Sequence, residues 1–109
     1  LVSGSPARKC GPGQIALSSV GGAVEAFVRG VAPELAPKRI NVVSPGLIST
    51  PMFGDDKEAR DEQLGAKTAN NLIPRPGKPE EVAQAILFVA TNDFVTGTTV
   101  DVDGGILLS

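Results

Sequence analysis

Residues 45–50, which read Pro-Gly-Leu-Ile-Ser-Thr, are the part of the sequence best suited to hold a ligand. Glycine lets the backbone approach a ligand closely, and the residues after it offer amide groups, an apolar contact and a hydroxyl. A planar ligand that carries an amide would suit such a wall. A Pro-Gly pair also simply closes a strand–helix loop, and on these six residues alone that interpretation is the stronger one.

The residue types that are missing exclude several kinds of catalytic site. The sequence has no histidine, tyrosine or tryptophan, and its one cysteine is Cys10. This chain therefore cannot itself supply a Ser-His-Asp triad, a papain-like Cys-His pair or a His-ligated zinc site. With no partner and no activating histidine, Cys10 is interpreted as an incidental thiol. We expect no metal site and a reducing, cytoplasmic setting.

The charge and hydropathy patterns argue against nucleic acids and membranes as partners. Ten basic and twelve acidic residues give a net charge of −2, and the aromatic residues are four phenylalanines. A nucleic-acid interface normally needs a basic stripe with interleaved aromatic residues. The longest apolar runs fall far short of the roughly 18–20 residues of a transmembrane helix.

Strands alternate with helices along the chain. Apolar residues three and four positions apart predict helices, and short β-branched or apolar stretches between turn residues predict strands. The predicted order is a strand end at Leu1–Val2, a helix over 14–35, a strand over Ile40–Ser44, a helix from Pro79, and a strand over Thr98–Val102. This alternation predicts an α/β fold with a parallel sheet.

Two segments conflict with regular helices. Pro33 removes a hydrogen bond from the first helix, so we expect a kink or an early loosening between Arg29 and Pro33. Asp55 to Asn70 is polar and has few apolar positions. That segment could be helical, but with little to bury it predicts an exposed, mobile stretch.

The predicted sheet is too small to stand alone. A parallel sheet has several strands between helices on both faces, whereas this chain holds two complete strands and a strand end that begins abruptly at Leu1. We therefore expect residues 1–109 to be one partial domain of a longer chain. Ligands of open α/β sheets bind at the carboxyl ends of the strands, which is where residues 45–50 lie.

The stretch from Asn41 to Pro51 closely resembles the segment after the sixth strand of the short-chain dehydrogenase/reductase family. Further stretches agree in order and spacing, so the resemblance spans essentially the whole chain. The family's long fifth helix and its exit resemble Ala23–Phe27, Glu34–Pro37 and Ile40–Val42. The approach to the last helix resembles Arg75–Ala83, and the closing strand resembles Thr96–Gly97 and Asp101–Gly105.

The resemblance implies the C-terminal part of a Rossmann-type doubly wound parallel sheet, in an NAD(P)-dependent oxidoreductase. In that family the Pro-Gly loop lines the nicotinamide. By carry-over, Pro45 and Gly46 flank the ring, the Ile48 main chain meets the carboxamide, and the Thr50 hydroxyl adds a hydrogen bond. Leu47 belongs to the same cofactor-binding stretch.

The resemblance also implies partners. Residues 54–71 correspond to a mobile substrate lid over a small carbonyl or alcohol substrate, and the family commonly forms dimers or tetramers. The glycine-rich turn that binds the cofactor phosphates belongs to an N-terminal half absent from these residues. The choice between NAD and NADP therefore stays open.

The catalytic positions are where the chain departs from the family, which uses a serine and a Tyr-x-x-x-Lys pair. Alignment puts Leu17 at the tyrosine position and Gly21 at the lysine position, and neither can transfer a proton. Ser3 is the best match for the serine, with Ser5 as its competitor, and Lys9 is a weaker candidate for a substitute acid. The loss of the pair indicates a subfamily.

Three hypotheses follow. The first is the C-terminal half of a short-chain NAD(P)-dependent oxidoreductase that transfers hydride between the cofactor and a carbonyl or alcohol. The second is a non-catalytic nucleotide-binding relative that has lost the proton relay. The third is an independent, self-associating module. We favour the first for the longer protein and expect these 109 residues alone to be inactive.

Overall fold

A computed structural model describes residues 1–109 of the chain. Three α-helices and two strands form the chain, with short 3₁₀ turns between them, so the predicted α/β class is confirmed. The elements are α1 (Ile15–Leu35), β1 (Val42–Pro45), α2 (Lys57–Thr68), α3 (Pro79–Thr91) and β2 (Thr99–Val102), with 3₁₀ turns at Ser5–Ala7, Pro51–Phe53 and Ile106–Leu108. The two helices α2 and α3 lie between the strands, where the sequence firmly predicted only the second.

The sheet is parallel and β1 lies at its centre. β1 pairs with β2 in a register that runs from Val42 opposite Thr99 to Pro45 opposite Val102. On its other side β1 meets the start of the chain, where Val2 and Val43 form a parallel bridge. The predicted strand end at the N-terminus is therefore confirmed as a third strand position beside β1.

Two polar side chains fix where β1 and β2 begin. Asn41 donates its side-chain amide to the Val95 carbonyl at 3.0 Å and accepts from the Thr98 N–H at 3.2 Å. Arg39 donates to the carbonyls of Val89 and Ala90 at the end of α3 and to that of Val95. These bonds satisfy backbone groups that the helix end and the turn would otherwise leave unpaired.

Helix α1 runs without interruption to Leu35, so the early loosening predicted between Arg29 and Pro33 is wrong. Pro33 lies in the last turn, where its missing N–H costs the helix a single hydrogen bond. The face of α1 toward the rest of the chain buries Val28, Gly21 and Glu25. Most of its other side chains are exposed.

α1 is also long and apolar enough, by length and composition alone, to cross a membrane. Helices that pack on a sheet share those properties. Here Glu25 is buried and bonded to other parts of the chain, as in a helix packed against the sheet.

The polar stretch after β1 forms helix α2, and it buries more than its composition predicts. Leu64 is completely buried and Thr68 is 1% exposed. The Thr68 hydroxyl donates to the Leu64 carbonyl at 2.8 Å. The mobility of this segment stays a prediction.

The core is small for the amount of apolar side chain available. Only 12 of 109 residues are buried, and Ile15, Phe27, Leu87 and Phe94 are among the large apolar side chains left exposed. A complete domain of this length would bury more of its apolar surface. The exposure fits the expectation of a partial domain.

Replacing Leu64 with alanine tests whether α2 is anchored by this one side chain. We expect L64A to lower the free energy of unfolding by about 2–5 kcal/mol, because it removes a buried side chain and leaves a cavity. Urea unfolding measures the change. Glu62, which is exposed on the same helix, is the control: E62A should stay within about 0.5 kcal/mol of the starting protein. Equal losses in both variants would contradict the anchoring role of Leu64.

Candidate functional site

The loop predicted to hold a ligand follows β1 and is pinned against the end of β2. The Gly46 N–H donates to the Val102 carbonyl at 3.0 Å. A Cβ at Gly46 would lie 2.8 Å from the Asp103 Cα, closer than real Cβ contacts come. Glycine is therefore required here by the close approach of the chain leaving β2.

Ile48 is held by a parallel bridge to Gly77. The Ser49 N–H donates to the Gly77 carbonyl, and the Gly77 N–H donates to the Leu47 carbonyl, both at 2.9 Å. These bonds occupy the groups on either side of Ile48. The N–H and C=O of Ile48 itself have no partner in the chain, while its side chain is buried.

Helix α2 is tied to the same loop through Ser49. The Ser49 hydroxyl donates to Asp61 and accepts from the Arg60 Nε at 3.0 Å. The hydrogen bond from Lys57, and then that from Ser49, lower the pKa of the Asp61 carboxyl. Sequence analysis missed this link, because no local pattern places Asp61 beside a loop twelve residues earlier.

Thr50 closes the loop with a free hydroxyl. Its carbonyl accepts from the Phe53 N–H at 3.0 Å, whereas its Oγ1 has no partner in the chain. Together with the unpaired N–H and C=O of Ile48, this gives one donor, one acceptor and a hydroxyl beside the Gly46 turn. A primary carboxamide needs a donor and an acceptor of this kind. The residues present therefore fit the amide end of a nicotinamide.

An ion pair supports the segment that holds Gly77. Arg75 makes two hydrogen bonds to Glu81, at 2.6 and 3.0 Å, and Glu81 also accepts the Lys78 N–H at 2.8 Å. The bond from Arg75, followed by the one from Lys78, lowers the pKa of Glu81 to about 2. Glu81 thereby joins the start of α3 to the stretch that pairs with Ile48.

Ser3, the predicted catalytic serine, donates its hydroxyl to Glu25 Oε1 at 2.8 Å. A Cβ at its neighbour Gly4 would be 3.8 Å from the Pro45 carbonyl oxygen, so Gly4 lies beside the loop. Ser5 is buried in the first 3₁₀ turn. The structure thus turns the Ser3 hydroxyl toward α1, and its catalytic role stays a prediction.

The two positions predicted to replace the tyrosine and lysine differ in environment. Leu17 is 61% exposed, whereas Gly21 is buried and a Cβ there would be 3.0 Å from the Ala7 Cβ. Lys9, the weaker candidate acid, donates to the carbonyls of Ile106 and Ser109 at 2.7 and 2.5 Å. Its ammonium is therefore held at the end of the chain.

A family profile described as enoyl-(acyl carrier protein) reductase matches residues 1–107. A short-chain dehydrogenase/reductase of Stachybotrys chlorohalonatus is 42% identical over 99% of this chain and 43% of its own length. The chain belongs to the short-chain dehydrogenase/reductase family. Within that family it spans less than half the length of this curated relative.

Solved structures of the family agree with the fold. A small-chain dehydrogenase in complex with NADPH superposes with a TM-score of 0.90 at 35% identity, over 100% of this chain and 50% of that one. A short-chain oxidoreductase of Pseudomonas aeruginosa PAO1 is described as containing an atypical catalytic center. It superposes with a TM-score of 0.82 at 33% identity, over 96% of this chain and 45% of that one. The fold is therefore the C-terminal part of a Rossmann-type sheet.

Replacing Gly46 with alanine tests the close approach at the loop. Because the new methyl group would meet the Asp103 backbone, we expect G46A to lower the free energy of unfolding by about 1–3 kcal/mol. Gly65, inside α2 with no atom within 4 Å of a Cβ, is the control. G65A should instead stabilise the protein by about 0.5–1 kcal/mol. If G46A unfolds at the same denaturant concentration as the starting protein, the approach is not as close as described.

The Arg75–Glu81 pair predicts a pH dependence of stability. A carboxyl whose pKa falls from 4.5 to about 2 on folding stabilises the fold above pH 4.5, and loses that effect as the pH falls toward 2. We expect E81Q to be less stable than the starting protein at pH 6, with the gap shrinking between pH 4.5 and 2. Unfolding curves at several pH values measure it, and a gap independent of pH would contradict the pairing.

Proposed function

We propose that the whole protein is an NAD(P)-dependent oxidoreductase that transfers hydride between the cofactor and a small carbonyl or alcohol substrate. The observation that carries the proposal is the unpaired N–H and C=O of Ile48 beside Gly46. In this proposal Pro45, Gly46 and Leu47 line the nicotinamide ring. Ile48 holds the carboxamide and the Thr50 hydroxyl adds a hydrogen bond.

The cofactor is NAD or NADP. The solved relative with bound NADPH supports NADPH as the first to test. The phosphate and adenosine contacts, which decide between the two, are assigned by this proposal to a preceding N-terminal half. Relatives of about twice the length support such a half.

We assign the chain to a subfamily without the Tyr-x-x-x-Lys pair, with Leu17 and Gly21 at those positions and Ser3 as the remaining catalytic serine. The burial of Gly21 supports this assignment, since a Cβ there would lie only 3.0 Å from the Ala7 Cβ. The relative with an atypical catalytic center is a precedent within the family.

Residues 54–71 act as the substrate lid in this proposal, tied to the cofactor loop through Ser49 and Asp61. The preceding half and further copies of the chain in a dimer or tetramer cover the exposed apolar side chains of α1 and α3. The protein works in the cytoplasm, without nucleic acid or membrane partners.

A second candidate is a nucleotide-binding protein that performs no hydride transfer. The observation in its favour is that Leu17 and Gly21 carry no group able to move a proton. It shares the Ile48 site with the first candidate, so cofactor binding alone does not separate the two. Turnover does.

The test uses the full-length protein, NADPH and a panel of ketones, followed by the loss of NADPH absorbance. We expect turnover, and T50V should raise the Kd for NADPH between about 2- and 12-fold, because one hydrogen bond contributes about 0.5–1.5 kcal/mol. T91V, at an exposed position of α3, should bind NADPH like the starting protein. Binding without turnover supports the second candidate, and no binding rejects both.

A further inference from the structure

Glu25 is a carboxylate buried between α1 and the sheet. It is 4% exposed, accepts the Ser3 hydroxyl at 2.8 Å, and lies 3.3 Å from the Arg8 Nε. Burying a charged group costs free energy even when it is paired, and apolar side chains of similar size often stabilise such a site better. A buried carboxylate that accepts a hydroxyl hydrogen bond also has the geometry to accept a proton through that hydroxyl.

Glu25 lies on the helical face that the family uses for proton transfer. Leu17, Gly21 and Glu25 follow one another at intervals of four residues, which places them on one side of α1. Because Ala7 fills the space beside Gly21, Glu25 is the first titratable side chain along this face.

Ser3, the partner of Glu25, belongs to a row of polar residues across the sheet. Ser3 follows the bridge between Val2 and Val43, so its strand neighbour is Ser44, and Ser44 is in turn opposite Asp101. The Ser44 hydroxyl is buried and has no partner. An orphaned buried hydroxyl is rare in folded proteins, and this one lies one residue before the end of β1, which leads into the Gly46 loop.

We propose that Ser3, Glu25 and Arg8 form the proton relay of this protein, in place of the tyrosine and lysine. The relay rests on the proposed function. Ser3 is the catalytic residue that touches the substrate oxygen, Glu25 receives the proton through Ser3, and Arg8 is a positioning residue whose ion pair orients the Glu25 carboxylate.

In alcohol oxidation the substrate loses a hydride and a proton. An oxidised nicotinamide cofactor, bound as in the proposed function, would accept the hydride from the alcohol carbon. The alcohol proton moves to the Ser3 Oγ while the proton of Ser3 moves to the Glu25 carboxylate. The products are the carbonyl compound, the reduced cofactor and a protonated Glu25, which returns its proton to solvent. Carbonyl reduction is the reverse.

Arg8, the residue after the first 3₁₀ turn, is the charged partner of Glu25. Its guanidinium also makes two hydrogen bonds to Asp101. The hydrogen bond that Arg8 donates to Asp101 is the main effect that raises the pKa of Arg8, with the charges of Glu25 and Asp103 adding to it. On α1 itself the next titratable side chain, Arg29, is exposed.

The test compares the starting protein with E25Q and S3A at full length, in oxidation of the alcohol whose ketone the NADPH assay finds to be a substrate. General acid–base catalysis contributes about 100-fold or more, so we expect each variant to lose at least that factor in kcat. The rate of the starting protein should fall as the pH is lowered and Glu25 becomes protonated. This fall in rate at low pH is the acid limb of the pH–rate profile, and E25Q should lose it.

A variant of Arg8 gives a second test of the relay in the same experiment. R8Q should move the acid limb of the starting protein to higher pH, because the carboxylate loses its cationic partner. E34Q, which removes an exposed carboxylate from the same helix, is the matched control and should keep both the rate and the limb. NADPH affinity and melting temperature, measured on every variant, separate a folding defect from a lost relay.

Each outcome decides one claim. Turnover in E25Q with the rate and acid limb of the starting protein overturns the relay and leaves the proposed function standing. A lower rate in E25Q with an unchanged acid limb also overturns the relay, since a structural role alone would give that result. Absence of turnover in the starting protein overturns the proposed function and the relay with it.

Discussion

The backbone pairing of Ile48 with Gly77 is the interaction on which the site depends. It uses the carbonyl of Leu47 and the N–H of Ser49, and so leaves the two polar groups of Ile48 on the other side of the chain. A buried Ile48 side chain prevents that strand-like segment from rotating. The loop therefore presents a fixed donor and acceptor without any functional side chain.

Other contacts of the chain hold this pairing in place. Gly46 allows the loop to pass directly over Asp103, which aligns it with the end of β2. Glu81 joins the Gly77 segment to α3 through Arg75, and Ser49 joins the loop to α2 through Asp61. A side chain thus bonds α2 to the loop and α3 to the segment that pairs with it. The geometry of the loop therefore depends on the packing of both helices.

Much of this arrangement could be predicted from the sequence, because it follows from periodicity and breakers. The period of α1, the proline at the start of α3 and the Pro-Gly after β1 each act over a few residues. The bonds from Ser3 to Glu25 and from Ser49 to Asp61 could not, since they join residues 22 and 12 positions apart. The burial of Leu64 was missed for the same reason.

The early loosening of α1 that was predicted between Arg29 and Pro33 is wrong, and its cause is local to the helix. The predicted helix over 14–35 already placed Pro33 in its last turn. A proline costs a helix most in its interior, and in the last turn of α1 it is tolerated without a break. The small core accords with the comparisons, because the chain spans about half the length of these relatives.

The most direct test of the central claim is a crystal structure of the full-length protein with NADPH. The account predicts that the nicotinamide carboxamide lies within hydrogen-bonding distance of the Ile48 N–H and C=O. A cofactor bound with its nicotinamide away from residues 45–50, or with Ile48 still unpaired, would contradict it.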